Sequence, residues 1–375
     1  MSQSVDQSGS GHDAATAKQP DPLSPSEGLP EVKAPDTGFL MQLFVYPLAI
    51  VCSIAIIVVF VQWVSASGGD PYRHLAALGR DKHERWRAAH DLAIDMASSN
   101  ESIKDDSQFA ARLAAILDRE LDKHFDDKHA QAESINLRLY LCQALGEFRV
   151  DDPLPALLRA TREQVADDEV AVRCTAIGAI ARLAANLRPI DPIDPIDSPE
   201  VIETLLEASR DDDAAVVRNA AFALGTIGGR RAIERLKELT AFGNHSSVRY
   251  NAAVKLATLG EAASVEVLLE MLDLENDATT EIDYVDVDGK VEQLDEEKDK
   301  RLIEQLRANS RAAVLLNALR AASQLAQKNS SVDLGELIEA VEAVAAAELR
   351  KQLPRDKADA IHDKAAEVLA QLMKN

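Results

Sequence analysis

Asp286-Val287-Asp288-Gly289 is the stretch of this chain that most resembles a ligand cage. Paired carboxylates beside a turn glycine are what an oxygen-ligated cation needs. A twelve-residue calcium loop with its glycine at 289 would open on Tyr284 rather than Asp and close on Asp295 rather than Glu. Two aspartates do not complete such a cage, and the stretch reads as a solvated β-hairpin turning at Asp-Gly. Cys52, Cys142 and Cys174 have no metal spacing and read as small apolar residues. The chain has no glycine-rich phosphate loop after a strand, no nucleophile elbow and no HExxH. The expectation is a non-enzyme with no cofactor and no metal.

Composition narrows the remaining roles. Sixty-three Asp and Glu oppose 41 Lys and Arg, for a net charge of -22. A phosphate backbone needs a basic surface, so nucleic acid is excluded as the expected partner. Hydrophobic content is 46% with only 4% aromatic residues. A core of Ala, Leu, Val and Ile suits closely packed helices.

Four stretches repeat one pattern: LRLYLCQALGEF (137–148), VRCTAIGAIARL (172–183), VVRNAAFALGTIG (216–228) and VRYNAAVKLATLG (248–260). Each carries an aliphatic residue, a nearby arginine, small residues, and a second aliphatic followed by Gly or Ala. The second aliphatics are Leu145, Ile180, Leu224 and Leu256, spaced by 35, 44 and 32 residues. Leu92 falls in register in a fifth copy at 84–96, and looser copies lie at 315–326 and 361–372. Such a period indicates stacked helical hairpins, none of which buries its apolar face alone. Seven to nine hairpins are expected, with Leu92, Leu145, Ile180, Leu224 and Leu256 in the core. The arginines Arg138, Arg173, Arg218 and Arg249 are the candidates for a ladder or groove.

This pattern, with DDEVAVR at 167–173 and DDDAAVVR at 211–218, resembles HEAT repeats of the short type noted in phycobilisome lyases. The resemblance implies an all-α α-solenoid in which the acid meets the turn between helices and the arginine stacks along the array. Val217 stands at the usual arginine position, with Arg218 one step later. Some HEAT-like enzymes bind iron through several His-Glu pairs, whereas this chain has one, His83-Glu84. The alternative to a binding platform is an enzyme or enzyme-maturation factor of the lyase-like group.

The segment before the repeats supplies location. Residues 37–69 carry no charge, and the apolar centre at 43–61 is 19 residues long. At ~1.5 Å rise per residue that length covers the ~30 Å hydrocarbon core. Tyr46 and Trp63 stand near its two ends, as interfacial aromatics do. A cleaved signal peptide fits less well, because the preceding segment is long and acidic rather than short and basic. Arg73, Arg80, Lys82, Arg85 and Arg87 follow the span, which orients the larger part to the cytoplasm.

The expected organisation is a disordered acidic tail at 1–37, a transmembrane helix at 38–66 and a HEAT-like solenoid at 67–375. Inserts are expected at 188–200 and 279–301. Arg85-Trp86-Arg87-Ala88-Ala89 adds a resemblance to bacterial membrane-anchored HEAT-repeat proteins, in which an RWxAA segment follows the span. Together these readings predict a single-pass, membrane-tethered scaffold or accessory subunit. Its partners would be proteins, favoured where they carry basic patches, and the lipid bilayer through residues 43–61.

Overall fold

A computed structural model describes residues 71–79, 85–98, 103–125, 127–162, 169–187, 199–280 and 300–374. They all lie in one compact unit, Ser67–Asn375. The expected tail, the membrane span with Tyr46 and Trp63, the Asp286–Gly289 hairpin and His83-Glu84 lie outside the described residues.

The described residues form fourteen α-helices and no β-strand. They are α1 (Pro71–Leu78), α2 (Arg85–Ser98), α3 (Ser107–Leu121), α4 (Lys128–Leu145), α5 (Leu154–Arg162), α6 (Val170–Leu187) and α7 (Pro199–Ala208). Then follow α8 (Ala214–Ile227), α9 (Arg230–Leu239), α10 (Ser246–Leu259), α11 (Val265–Leu272), α12 (Lys300–Lys328), α13 (Gly335–Ala346) and α14 (Arg355–Leu372). Each odd-numbered helix packs on the even-numbered helix after it, giving seven hairpins among the described residues. The even-numbered helices from α2 to α14 also pack in succession, each on the next. The odd-numbered helices form a second layer, continuous from α3 to α9 and resumed between α11 and α13. Most of each expected insert, 188–198 and 281–299, lies outside the described residues, and the flanking elements are described. Helix α7 already begins at Pro199, a 3₁₀ turn covers Asp277–Thr280, and α12 begins at Lys300.

Helix starts explain part of the acidity. Asp106, Asp127 and Asp213 cap α3, α4 and α8 by accepting backbone N–H bonds from Phe109 (3.0 Å), Ala130 (3.0 Å) and Ala215 (2.7 Å). Helix ends use glycine where the chain must turn left-handed: Gly260 closes α10 at φ 82°.

Helix α6 is long and apolar enough to cross a bilayer by length and composition. Its setting gives another reason for that composition. It packs against α4, α5 and α8, and ten of its 18 residues are buried, Arg173 among them. A helix covered on several sides has little solvated face to make polar.

Small residues set the spacing of the even-numbered layer. A Cβ placed on Gly146, at the end of α4, would stand 2.9 Å from the Ala179 Cα of α6. Gly178 has nothing within 4 Å of such an atom. Gly146→Ala should therefore destabilise by ~1–3 kcal/mol through overpacking. Gly178→Ala should stabilise by ~0.5–1 kcal/mol through helix propensity. Urea denaturation of both variants checks the pair, and equal effects would contradict the close approach.

The buried apolar residues form two clusters that meet inside α10. Val248, Ala252 and Leu256 belong to the cluster that runs back to Leu78. Tyr250, Ala253 and Ala257 belong to the one that runs on to Leu372.

Candidate functional site

The repeat-core residues Leu92, Leu145, Ile180, Leu224 and Leu256 are all fully buried on even-numbered helices. Seven residues before each stand Arg85, Arg138, Arg173, Val217 and Arg249. Seven residues are about two helical turns, so these positions share a helix face with the leucines. They point to the next hairpin, and the four arginines each grip an acid there.

Arg138 donates to both carboxylate oxygens of Glu169, the residue before α6; the Nη2–Oε1 distance is 2.6 Å. Both side chains are completely buried. The Nε of Arg138 also reaches the Ser134 carbonyl at 3.3 Å. Arg173 pairs with Asp211 in the turn before α8, and its own Nε is buried without a partner. Arg249 holds Glu270 of α11 with both terminal nitrogens, and the Tyr250 hydroxyl donates to the same carboxylate at 3.0 Å. Arg85 pairs with Glu120 of α3 at 3.0 Å and donates to the Leu78 carbonyl at 2.9 Å. Burial disfavours the Glu120 carboxylate, but Lys123 and Arg85 outweigh it and hold the carboxyl below its ordinary value.

Arg85 is a ladder member that the repeat pattern did not single out, although its seven-residue offset from Leu92 marks it. Arg218 differs from the other three candidates. Val217 takes the ladder position and is buried, while Arg218, one step on, lines a recess.

That recess, about 640 Å³, opens between α8, α10 and α12. A second, about 730 Å³, runs over α2, α4, α6 and α8. Both are lined by Phe222, which is 44% exposed. They thus form adjoining parts of one face of the even-numbered layer. The floor of the second is small, with Ala93, Ala97, Gly178, Ala181 and Ala185. Cys174 also lines it, and burial pushes its thiol up to about 11, so it is a protonated, weak nucleophile. Buried Cys142 rises to about 12 for the same reason.

Lys255 is the unusual group in the first recess. Its Nζ stands 3.6 Å from the Phe222 ring centroid and donates to the Thr226 hydroxyl at 3.3 Å. Its stem crosses α8 at Gly225, where any Cβ would come within 2.3 Å of the Lys255 Cβ. Burial lowers the ammonium to about 8. Among the described residues, no three or more His, Cys, Asp or Glu side chains converge to hold a metal.

Comparison with known proteins adds a family likeness for part of the chain. The model of HEAT repeats matches residues 128–222 and 202–283. No curated protein matches the chain. Among solved structures, an engineered protein from a structural genomics consortium is 18% identical, covering 80% of this chain and 98% of its own. Its TM-score is 0.29, too low to speak for a shared shape. The matched stretch spans α4 to α11, the hairpins in which Arg138, Arg173 and Arg249 link each repeat to the next. Residues 128–283 are thus similar to HEAT repeats.

Proposed function

We propose that this chain is a membrane-tethered scaffold or accessory subunit that holds a protein partner against the even-numbered helix layer. The observation that carries this reading is the pair of adjoining recesses that meet at Phe222. Repeat stacks use such extended surfaces to bind other proteins. An enzyme of the lyase-like group would concentrate an acid, a base or a nucleophile at one recess. The described lining here is instead mainly Ala, Gly, Ser, Thr and Asn with a high-pKa thiol, and its charged groups are spread over both recesses: Glu147, paired with Arg182, in one, and Lys255 and Arg218 in the other. The excess of acid over the whole chain favours partners with basic patches on its outer faces.

The tether is read from the uncharged run at 43–61, and the cytoplasmic placement of the repeats from the basic residues after it. Carbonate-washed membranes should retain the full chain, and a chain lacking residues 39–66 should be released to the supernatant. Protease added to intact spheroplasts should leave the repeats uncut. A carbonate-soluble full chain would overturn the tether, and digestion from outside would reverse the topology.

A further inference from the structure

We infer that the recess between α8, α10 and α12 binds an extended, acidic peptide segment of a partner protein, with a carboxylate seated between Lys255 and Arg218. This deepens the scaffold reading above and rests on it.

Among the described residues, the local charge is opposite to that of the chain. Asp and Glu outnumber Lys and Arg by 63 to 41 overall, yet none of the described residues lining this recess is Asp or Glu. Among the described residues, its charged side chains are Lys255 and Arg218, the latter with a further partner of its own. Lys255 has no carboxylate partner among the described residues; it has a hydroxyl and an aromatic face. A half-buried ammonium with only those partners is poorly compensated, and an incoming carboxylate would supply the missing charge. The rest of the lining suits a peptide. Ser247, Asn309 and Asn317 offer hydroxyl and amide groups to a backbone, and Phe222 offers an exposed ring to an apolar side chain.

Length argues for a peptide over a small metabolite. Helices pack ~8–10 Å apart, so the face from α2 to α12, five steps, extends ~40–50 Å. An extended chain covers that with about 12–15 residues at ~3.3–3.6 Å each. The anionic contact then lies toward one end, in the α8–α12 recess, and the small-floored recess over α2 to α6 takes the remainder.

The probe is a fluorescein-labelled twelve-residue peptide of Gly, Ser and Leu with two central Glu, beside the same peptide with Gln. Fluorescence anisotropy is read on the detergent-solubilised full chain. The Glu peptide should bind about tenfold more tightly than the Gln peptide. Lys255→Met keeps the stem that packs on Gly225 and should remove most of that preference; Arg218→Met should remove part. Circular dichroism verifies that both variants are folded.

The preference should also fade as pH rises through about 8 or slightly above, because Lys255 loses its proton there while a bound carboxylate holds it somewhat longer. Among the described lining residues the other titratable groups are Arg218 and Tyr250, and burial pushes Tyr250 up to about 12, above that window. Equal binding of the two peptides would overturn the acidic preference and leave the face as a peptide site. Binding of neither would overturn both readings of this face. A preference that survives Lys255→Met and Arg218→Met together would place the anionic contact elsewhere and refute the proposal.

Discussion

Arg138→Ala should destabilise the repeat unit by about 3–5 kcal/mol, the range for breaking a buried ion pair from one side. The truncation leaves the Glu169 carboxylate fully buried, facing a space where two charge-assisted bonds had been. It also leaves the Ser134 carbonyl without one of its donors. The size of the effect measures that orphaned charge rather than the net contribution of the pair. Arg138→Met combined with Glu169→Met, which removes both charges and keeps most of the volume, should therefore recover much of the loss. Arg350→Ala is the contrast: its partner Asp359 is 40% exposed and its own side chain 59% exposed, so water replaces the contact. There the loss should stay within ~1 kcal/mol. Urea denaturation followed by circular dichroism separates these cases. An Arg138→Ala variant no weaker than Arg350→Ala would mean that the ladder is not structural.

Leu224→Ala should cost ~2–5 kcal/mol, the range for emptying a buried leucine site. Leu224 is completely buried on α8, which packs on α6, α7, α9 and α10. Four neighbours leave little freedom for the site to collapse, which places the effect toward the upper part of that range. Two turns away, Arg218→Ala should cost less, because the half-buried guanidinium leaves no sealed cavity. Phe222→Ala is the sharper internal comparison: it removes a larger side chain from the same helix, but one that is 44% exposed. Thermal unfolding that ranks Phe222→Ala as more damaging than Leu224→Ala would refute the register of the repeats.

The repeat register was legible because it is periodic. A helix that must bury one face at every turn repeats its aliphatic residues at fixed offsets, and Leu92 to Leu256 carry that signal. The partners of the ladder arginines were less legible. Their separations in sequence are 35, 31, 38 and 21 residues, and the acid sits before α6, before α8, on α11 or on α3. Connections of varying length make the pairing a property of the stack rather than of any local motif. Val217 was visible as a departure; that Arg218 would line a recess was not.

Lys255 was the least legible of all. In VKLATLG it looks like one polar residue on a helix face. Its burial depends on Gly225, on the neighbouring helix and 30 positions earlier, whose missing side chain lets the lysine stem lie flat. The expected inserts at 188–200 and 279–301 fall mostly outside the described residues, which resume at Pro199 and Lys300. Pro199 is a favoured first residue of a helix as well as a breaker of one.

The meeting of two core clusters inside α10 bears on cooperativity. Residues on one face of this helix depend on the packing of α1 to α9, and those on another face on α11 to α14. Free energy is then shared between the halves through a single helix rather than through one common interior. Nearest-neighbour coupling of this kind lets a terminal block open while the remainder stays native. A substitution at Arg138 or Leu224 loads only the first block, and its full cost reaches the second only through α10. A partner that lies across α8, α10 and α12 bridges the seam, so binding would couple the two blocks more strongly than the chain alone does.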